Sequence, residues 1–401
     1  MIVNGLSFEN IHVATKFYST CSVIAEEFSR LYCVKEKDLY GVILGRTSNL
    51  IKDYDVNVSK QVLQECDILL DLIWETINIG HWKNVDVFWR QLYRSICFIK
   101  SVNLSWDDRI SEAILSCDMG LIMGAPFGEE LFVQELADFL SQYVSIDSLC
   151  ETEHEPVGKA EVPLPFLTNH KEIPQVNAPS LEKFIELLKP STPFIMKNVI
   201  DHWPAMKKWS PSYLIQNHGE RTVPIEIGSS YTSEHWSQKL LKLKDFIRTY
   251  MLKSSNEVAY LAQYELFNHI TKLKDDITPL DYCAVSESDV VTNCWFGPEG
   301  TISPLHHDHY QNLFCQVYGY KRFIMFASHD NMHSHQHHLL KNTSQIDVES
   351  PNAIRDFPDF ADKTAWIAEL GPGDVLYLPL HWWHHVRSLS VSFSVSLWWK
   401  K

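Results

Sequence analysis

The chain has 401 residues, a length that corresponds to two or three domains. Apolar residues make up 45% of it and charged residues 21%, which excludes a disordered or fibrous protein. The formal net charge of −15 argues against direct binding to nucleic acid, because an acidic protein repels phosphate groups.

The first 150 residues are predicted to form a helical domain. Apolar residues recur at three- and four-residue steps over residues 68–77, 88–99 and 131–140. No clean repeat length is present, so the pattern fits either a helical bundle or a short array of helical repeats. Such a domain is a candidate for docking a partner protein, although apolar stripes of this kind more often form plain core.

Residues 151–179 carry five prolines and several charges, which predicts a linker or an extended segment, because proline blocks helix formation. From residue 180 the pattern changes. Ser180 is typical of a helix start, and residues 193–197 and 223–227 are predicted strands. From Val290 onward, short strand-like runs alternate with Gly and Pro turns, which indicates a sandwich or barrel. The predicted fold class is therefore a two-domain α+β protein, with a second domain over residues 180–401.

The nine cysteines are odd in number, scattered, and without a C-x-x-C pair. This pattern argues against a disulfide framework and against a cysteine zinc site, and it favours a reducing compartment. No apolar run approaches the roughly 18–20 residues that span a bilayer. Polar residues at Asn4, Glu9 and Asn10 argue against a signal peptide.

The segment from Thr301 to Gln316 contains an H-x-D pattern at His306 and Asp308. In a strand, alternate side chains face the same side, so these two are predicted to point together while His307 and His309 point away. Imidazole and carboxylate are ligands that suit Fe(II). An H-x-D pattern alone is weak evidence, because most occurrences are chance surface or core residues.

Three further histidines, His381, His384 and His385, follow a predicted turn at residues 371–374 and a strand. Two histidines and one carboxylate on one face of a barrel form the facial triad of a non-haem Fe(II) centre. That centre keeps coordination positions for a co-substrate and O₂. The H-x-D pattern followed by a late histidine is much more specific than either feature alone.

These residues resemble the JmjC class of Fe(II)- and 2-oxoglutarate-dependent oxygenases. The resemblance covers nearly all of residues 179–399, and it is carried by stretches such as NCWFGPEGTISPLHHDHYQN (293–312), HLLKNTSQIDVESP (338–351) and VRSLSVSFSVSLWW (386–399). The helical half is similar to members of the same family through WETINIGHWKNVDVFWRQLYRS (74–95). The resemblance implies a double-stranded β-helix of the cupin type for the second domain.

The resemblance also implies the iron ligands, which are His306, Asp308 and His384. His384 is chosen among the late histidines because the W-H-x-V-R run of the family falls at residues 383–387. The sequence departs from the usual pattern of the family at the two histidines that flank Asp308. Strand parity predicts that these extra histidines face away from the iron.

The co-substrate 2-oxoglutarate has a distal carboxylate that needs a cation, because a buried unpaired charge is very costly. Lys321 is the candidate, since it follows Gly319, is predicted to open the returning strand of a hairpin, and matches the lysine of the family. The resemblance assigns the remaining polar contacts with 2-oxoglutarate to Tyr260, Ser303 and Asn312.

Candidate substrate-binding residues lie in several segments. The last strand alternates an apolar face with a Ser/Trp face, which is predicted to line a cavity with Trp398 at its border. Glu226 and Trp236 match family positions that flank the substrate, and Gln263 and Trp295 are further candidates. A carboxylate together with aromatic planes is what a guanidinium needs.

The resemblance therefore implies hydroxylation of an arginyl residue in a protein or peptide substrate, with Fe(II), 2-oxoglutarate and O₂. A first alternative is demethylation of methyl-lysine in histone tails, because the same iron site serves both reactions. A second alternative is a docking protein without enzymatic activity. We expect a monomer in the nucleus and cytoplasm, with no direct nucleic-acid or membrane partner. Nuclear residence follows from the resemblance alone, because the sequence has no basic localisation run.

Five histidines lie within ten residues between His329 and His338. Such a run is able to bind a transition metal adventitiously, including Zn²⁺ or Ni²⁺. It lies between predicted strands and lacks the strand context of the triad, so we expect a surface loop.

Overall fold

The computed structural model describes residues 59–126, 131–144, 158–165, 167–228, 232, 236–253, 257–336 and 340–400. The chain divides into two compact units. The first comprises Met1–Ile146 with Glu220–Thr222, and the second comprises Asp147–Gly219 with Val223–Lys401. Within the described residues, no helix has the length and apolarity needed to cross a membrane. The predicted domain boundaries at residues 150 and 179 stay predictions.

The described part of the first unit is helical. Its helices are α1 (Ser59–Ile77), α2 (Val87–Trp106), α3 (Ile110–Met123) and α4 (Phe132–Leu140). The predicted stripes supply its core, which includes Ile73 from α1 and Ile96 from α2. Helix α2 begins after Asp86, whose carboxylate accepts a hydrogen bond from the Phe88 amide at 3.0 Å. Leu131 precedes α4 and is exposed, so the last apolar stripe starts one residue later than predicted.

The second unit contains two β-sheets and several short helices. Its helices are α5 (Leu181–Leu188), α6 (Ala205–Lys208), α7 (Pro211–His218), α8 (Leu243–Tyr250), α9 (Leu266–His269), α10 (Thr271–Lys274) and α11 (Ala353–Asp356). Its strands are β1 (Asn169–Glu172), β2 (Gln175–Asn177), β3 (Phe194–Lys197), β4 (Thr222–Ile227), β5 (Ser237–Lys242), β6 (Ala259–Tyr264), β7 (Val291–Gly297), β8 (Ile302–His306), β9 (Gln311–Tyr318), β10 (Lys321–Phe326), β11 (Thr364–Leu370), β12 (Val375–Leu378), β13 (Trp383–Ser388) and β14 (Ser392–Trp399). These elements confirm the predicted α+β fold class.

The strands form a five-stranded and a nine-stranded sheet. The five-stranded sheet has the order β1-β11-β10-β13-β8, and the nine-stranded sheet has the order β2-β3-β12-β9-β14-β7-β6-β4-β5. Strands that are consecutive in the chain often lie in different sheets, as β9 and β10 do. Side chains from both sheets form a common apolar core that includes Phe314 of β9 and Phe323 of β10, whose ring centroids lie 4.9 Å apart.

One expectation about local structure becomes more definite, and one needs correction. Strands β1 and β2 lie inside the segment predicted as a linker or an extended segment and pair in parallel with β11 and β3, so this part of it is extended and belongs to the sheets. The predicted hairpin before Lys321 is wrong, because β9 and β10 lie in different sheets. The chain crosses between the sheets at Gly319, where φ is +71° and an added Cβ would lie 1.9 Å from the Val391 carbonyl oxygen. Only glycine fits this crossing without strain.

The crossing determines where Lys321 points. Alternate residues of a strand share a face, so Lys321, Phe323 and Met325 of β10 lie on one side. Phe323 and Met325 belong to the core between the sheets, and all three side chains are fully buried. A lysine is therefore aimed into the interior of the barrel, although its position next to a turn is one where surface charge is common.

Candidate active site

Two strands bring a histidine pair together. His306 ends β8, and His384 lies directly opposite it on the antiparallel strand β13. Asp308 lies two residues beyond the end of β8, and its Oδ2 is 3.6 Å from Nε2 of His384. One ligand atom from each of the three side chains lies within 4.8 Å of the others. The arrangement offers two imidazoles and one carboxylate, the donor set of a facial Fe(II) triad.

Backbone carbonyls orient both imidazoles of this triad. Nδ1 of His306 lies 2.7 Å from the Pro304 carbonyl oxygen, and Nδ1 of His384 lies 3.0 Å from that of Trp382. A carbonyl only accepts hydrogen bonds, so each Nδ1 donates and the lone pair lies on Nε2, as metal ligation requires. Burial and the neighbouring His306 lower the pKa of His384 well below its usual value, which favours the neutral imidazole.

The other histidines near the triad face elsewhere. His385, the neighbour of His384, is buried and points to the opposite side of β13. His307, His309 and His381 form a separate group whose ligand atoms also lie within 4.8 Å of one another. Although β8 ends at His306, the predicted parity is retained beyond the strand end.

A cavity of about 250 Å³ lies beside the triad. Among its lining residues are eight that the sequence analysis named, which are His306, Asp308, Tyr260, Ser303, Glu226, Trp236, Gln263 and Trp295. Three other named residues, Asn312, Lys321 and His384, are almost fully buried.

Lys321 is a buried cation at this site. Its Nζ donates a hydrogen bond to the Tyr260 hydroxyl at 3.0 Å and lies 5.3 Å from the centre of the Phe314 ring. No carboxylate among the described residues forms an ion pair with it. Burial lowers the pKa of Lys321 from 10.5 to about 7 and raises that of Tyr260 well above its usual value. A buried lysine that faces a neutral phenol fits the distal carboxylate of 2-oxoglutarate.

The side-chain amide of Asn312 is a further buried polar group in this domain. It lies on β9, and its Oδ1 is buried without a hydrogen-bond partner among the described residues. Native structures rarely leave a buried polar atom unsatisfied, and a bound molecule is one way to satisfy it. An amide oxygen accepts hydrogen bonds, so a donor such as water would satisfy Oδ1, whereas a carboxylate of 2-oxoglutarate would need the Nδ2 donor of the same amide.

Glu226 and Trp236 form the acidic part of the cavity wall. The Trp236 indole Nε1 donates a hydrogen bond to Oε2 of Glu226 at 3.2 Å. Glu226 lies opposite Tyr260 in the pairing of β4 with β6. Burial raises the pKa of Glu226, and the hydrogen bond from Trp236 opposes that effect. The carboxylate thus lies in a partly desolvated position, where a cationic partner would stabilise its charged form.

The remaining substrate candidates differ in position. Trp295 lines the cavity, and its Nε1 donates to Oγ of Ser396 at 2.9 Å. Gln263 also lines it, is exposed, and has a left-handed backbone with φ of +45°. Trp398 is not among the residues that line this cavity; it is 5% exposed and stacks on Tyr310 with ring centroids 5.2 Å apart. Both faces of β14 are buried, so the predicted cavity-lining face is packed against neighbouring side chains.

Eight lining residues were not predicted as site residues, and Asn342 and Thr343 are two of them. Thr343 forms an isolated β-bridge with His306, and Nδ2 of Asn342 donates to the His307 carbonyl oxygen at 3.1 Å. They come from a loop more than thirty residues after the H-x-D pattern, where no local pattern marks a site. The one available signal is that both fall within the stretch 338–351 that resembles the JmjC class.

The histidine-rich run is a loop where it is described. Residues 327–336 contain only one isolated bridge, between Ser334 and Ser344, and residues 337–339 lie outside the described residues. His333 of this loop pairs with Asp359, with 2.9 Å between Nε2 and Oδ1. This contact gives His333 a structural role.

Comparison with known proteins supports the same assignment. A family model described as a cupin-like domain matches residues 180–401, and one described as KDM8-like, N-terminal ARM repeats matches residues 41–147. The chain is 41% identical to lysine-specific demethylase 8 of Danio rerio over 369 residues, covering 87% of this chain and 90% of the relative. The chain belongs to the JmjC oxygenases, in the lysine-specific demethylase 8 family.

Two further relatives agree with this membership. Lysine-specific demethylase 8 of Xenopus tropicalis is 36% identical, with 83% of this chain and 87% of the relative covered. Jumonji C domain-containing protein 5 of Drosophila melanogaster is 39% identical, with 83% of this chain and 85% of the relative covered. JmjC oxygenases use Fe(II) and 2-oxoglutarate, so the predicted family and cofactors are confirmed. The roles of individual residues stay predictions.

Proposed function

We propose that this chain oxidises a cationic side chain of a protein substrate, and that unmethylated arginine is the side chain that its cavity fits best. The observation that carries this proposal is the carboxylate of Glu226 in the cavity wall, with the Trp236 indole hydrogen-bonded to it at 3.2 Å. A carboxylate accepts two parallel hydrogen bonds from a guanidinium, and an indole face attracts the same cation. Both groups line the cavity that His306 and Asp308 also line.

In this proposal the two charged ends of the site have different tasks. His306, Asp308 and His384 hold Fe(II), which together with 2-oxoglutarate and O₂ supplies oxidation of a C–H bond when bound. Lys321 and Tyr260 hold the distal carboxylate of 2-oxoglutarate, with Asn312 and Ser303 as further polar contacts. The nearly complete burial of Lys321 supports this role, because a small dianion would neutralise a cation that lacks a counter-charge among the described side chains.

Glu226 and the tryptophans have a positioning task. A guanidinium fixed by its nitrogen atoms presents the carbons of its own side chain in a defined direction, which lowers the entropic part of the barrier. Displacement of water by the arginine side chain strengthens its ion pair with Glu226, because that carboxylate is partly buried. Gln263 and Trp295 extend the same wall.

The second candidate is demethylation of methyl-lysine. The names of two relatives, both called lysine-specific demethylase 8, favour this alternative over arginine hydroxylation. The proposed iron site serves both reactions, because hydroxylation of an N-methyl group yields formaldehyde and the demethylated amine. The side chain of trimethyl-lysine has no N–H to donate to Glu226, and this is why the cavity wall supports arginine.

The deciding experiment is mass spectrometry of peptides that contain either arginine or methyl-lysine, incubated with the full chain, Fe(II) and 2-oxoglutarate. A gain of one oxygen on unmethylated arginine, absent with His384→Ala, is the expected result. Loss of methyl groups with release of formaldehyde would assign demethylation in its place. Absence of 2-oxoglutarate turnover with every peptide would favour the non-enzymatic docking alternative.

The wider setting of the protein remains at the level of prediction. The demethylase names favour the nuclear part of the predicted nuclear and cytoplasmic location. The monomeric state and the docking role of the helical region stay predictions.

A further inference from the structure

Three histidines that the proposed iron site does not use lie close together. His307, His309 and His381 each offer a ring nitrogen, and these atoms all lie within 4.8 Å of one another. Nδ1 of His307 and Nδ1 of His381 are 3.4 Å apart. Zinc–nitrogen bonds of about 2.0–2.1 Å in tetrahedral geometry separate two ligand nitrogens by about 3.3 Å. The observed separation therefore matches a pair of imidazoles that share one ion.

We propose that His307, His309 and His381 form a second metal site, which binds one divalent transition-metal ion such as Zn²⁺ through three imidazole nitrogens. The fourth position of a tetrahedral ion would be taken by water or an exchangeable ligand. The ligands contain no carboxylate and no thiolate. They therefore favour Zn²⁺, Cu²⁺ or Ni²⁺ over Mg²⁺ and Ca²⁺, which prefer oxygen ligands.

The backbone around these histidines is held in place by hydrogen bonds. The amide of His381 donates to the Asp308 carbonyl oxygen at 3.1 Å. The amide of His307 donates to the Asn342 carbonyl oxygen at 2.9 Å, and Nδ2 of Asn342 donates back at 3.1 Å. The Leu380 amide donates to Oε1 of Gln311 at 3.1 Å. The backbone that presents the imidazoles of His307 and His381 is therefore fixed, which reduces the ordering that metal binding would require.

His381 carries a further sign that its position is specified. Its φ is +62°, in the left-handed region that only a few per cent of residues other than glycine adopt. Such a conformation costs on the order of 1 kcal/mol and persists where the surrounding structure fixes it. In this case it turns the imidazole of His381 toward the rings of His307 and His309, whose centroids lie 5.3 and 4.9 Å away.

The proposed second metal site opens to solvent through a cleft that is separate from the substrate cavity. His307 and His381 line a cleft together with His329 and Asp330, while His306 and Asp308 line the cavity of the proposed iron site. His309 is exposed. Solvent ions therefore have a route to the three histidines that does not pass through the substrate cavity. A hydrogen bond between His307 and His381 would explain their short distance, but it would not explain the approach of the third imidazole.

The test measures Zn²⁺ bound to the metal-free full-length chain, by elemental analysis after desalting and by calorimetric titration. The background variant His306→Ala/His384→Ala removes two of the three proposed iron ligands. In this background we expect about one Zn²⁺ per chain, held at the second site. Adding His309→Ala, which changes an exposed side chain, should weaken that binding by at least about 10–100-fold.

A second variant guards against misfolding. His381→Asn keeps a residue that tolerates the left-handed backbone, and it should weaken Zn²⁺ binding to the same degree as His309→Ala. Circular dichroism should show an unchanged fold, and Co²⁺ in place of Zn²⁺ should give an absorption spectrum of imidazole coordination that both variants lose. His335→Gln, in the histidine-rich loop, is the matched control and should bind Zn²⁺ as the background does.

The proposal is overturned if the background variant binds no Zn²⁺, or if Zn²⁺ binding survives both His309→Ala and His381→Asn. Loss of Zn²⁺ with His335→Gln alone would assign the ion to the loop and would also reject the proposal. None of these outcomes depends on the substrate or the activity of the enzyme.

Discussion

Two opposite charges lie at the active site in different surroundings: Glu226 lines the cavity, whereas Lys321 contacts Tyr260, which lines it. Lys321 is fully buried between the two sheets and contacts the neutral Tyr260. Glu226 lies in the cavity wall, and its described hydrogen bond comes from Trp236, which is 38% exposed. Neither charge has an ion-pair partner among the described residues. Under the proposed function, the inner charge, Lys321, binds a small anion of fixed shape, and the outer charge, Glu226, binds a cation that arrives on a larger molecule.

The largest expected effect follows from removing the inner charge. Lys321→Met should weaken 2-oxoglutarate binding by at least about 100-fold, because a buried carboxylate without its partner costs about 3–5 kcal/mol. Calorimetric titration of the metal-loaded full chain measures this. The fold should be no less stable at pH 7, since the lowered pKa of Lys321 shows that its buried charge opposes folding.

Lys341→Met is the matched control, because Lys341 is exposed. It should leave 2-oxoglutarate binding unchanged. If Lys321→Met left the affinity for 2-oxoglutarate unchanged, Lys321 would not be the residue that binds the distal carboxylate. Another cation would then be required there.

Removing the outer charge, that of Glu226, should weaken the binding of the peptide substrate only. Glu226→Gln should raise the KM for arginine peptides by about 10–100-fold, because a charged hydrogen bond contributes about 1.5–3 kcal/mol. The affinity for 2-oxoglutarate should stay as it is. Steady-state kinetics with arginine and trimethyl-lysine peptides separates the two candidate functions, since trimethyl-lysine has no N–H to lose.

An equal loss with both peptides, or a loss of 2-oxoglutarate affinity, would contradict the assigned task of Glu226. The nearby Glu257→Gln serves as a control for a simple change of surface charge, and it should leave the KM for both peptides unchanged.

The pH dependence of 2-oxoglutarate binding tests the charge of Lys321 directly. Burial lowers the pKa of Lys321 to about 7 in the ligand-free protein, while binding of a carboxylate requires its charged form. Below pH 7 the lysine is already charged, so this group adds no pH dependence. Above pH 7 the affinity should fall, approaching tenfold for each pH unit, because each binding event must then take up a proton.

The neighbours of Lys321 should not disturb this measurement. Burial raises the pKa of Cys294 to about 12 and that of Tyr260 well above 10, so both stay neutral between pH 7 and 9. Calorimetry in buffers of different ionisation enthalpy counts the protons taken up. A flat affinity from pH 7 to 9 would show that Lys321 stays charged without its ligand.

The smallest effect is expected at the indole that contacts Glu226. Trp236→Phe keeps an aromatic plane but removes the 3.2 Å hydrogen bond. The KM for arginine peptides should rise about 2–10-fold, since a neutral donor contributes about 0.5–1.5 kcal/mol. The pKa of Glu226 should also rise further, because the hydrogen bond from Trp236 now lowers it. Carboxylate titration by NMR measures that change, and an unchanged pKa would mean that the contact is absent in solution.

The predicted iron ligands show which features of the site local sequence is able to predict. The H-x-D spacing places His306 and Asp308 on one side and their two histidine neighbours on the other, because strand side chains alternate. This parity holds although β8 ends at His306. The choice of His384 among three late histidines rested on the family resemblance, since spacing alone left it open.

Local pattern was less successful where the chain changes sheets. The Ser/Trp alternation of β14 suggested an open cavity beside Trp398, yet both faces of that strand are buried. The segment before residue 180 was predicted as a linker or extended segment, and its prolines did not indicate that β1 and β2 pair within the sheets. Alternation reports which residues share a face, but it does not report what covers that face.

The sequence by itself determined the α+β class, the helical first half, the strand-rich second half and the two sides of the H-x-D segment. These features depend on periodicity, capping and turn residues, which act over a few neighbours. Tertiary structure alone decided that His384 lies opposite His306, that Lys321 points between the sheets, and that His381 joins His307 and His309. These contacts join residues about sixty or more positions apart or depend on a crossing between sheets, so they arise only when the barrel closes.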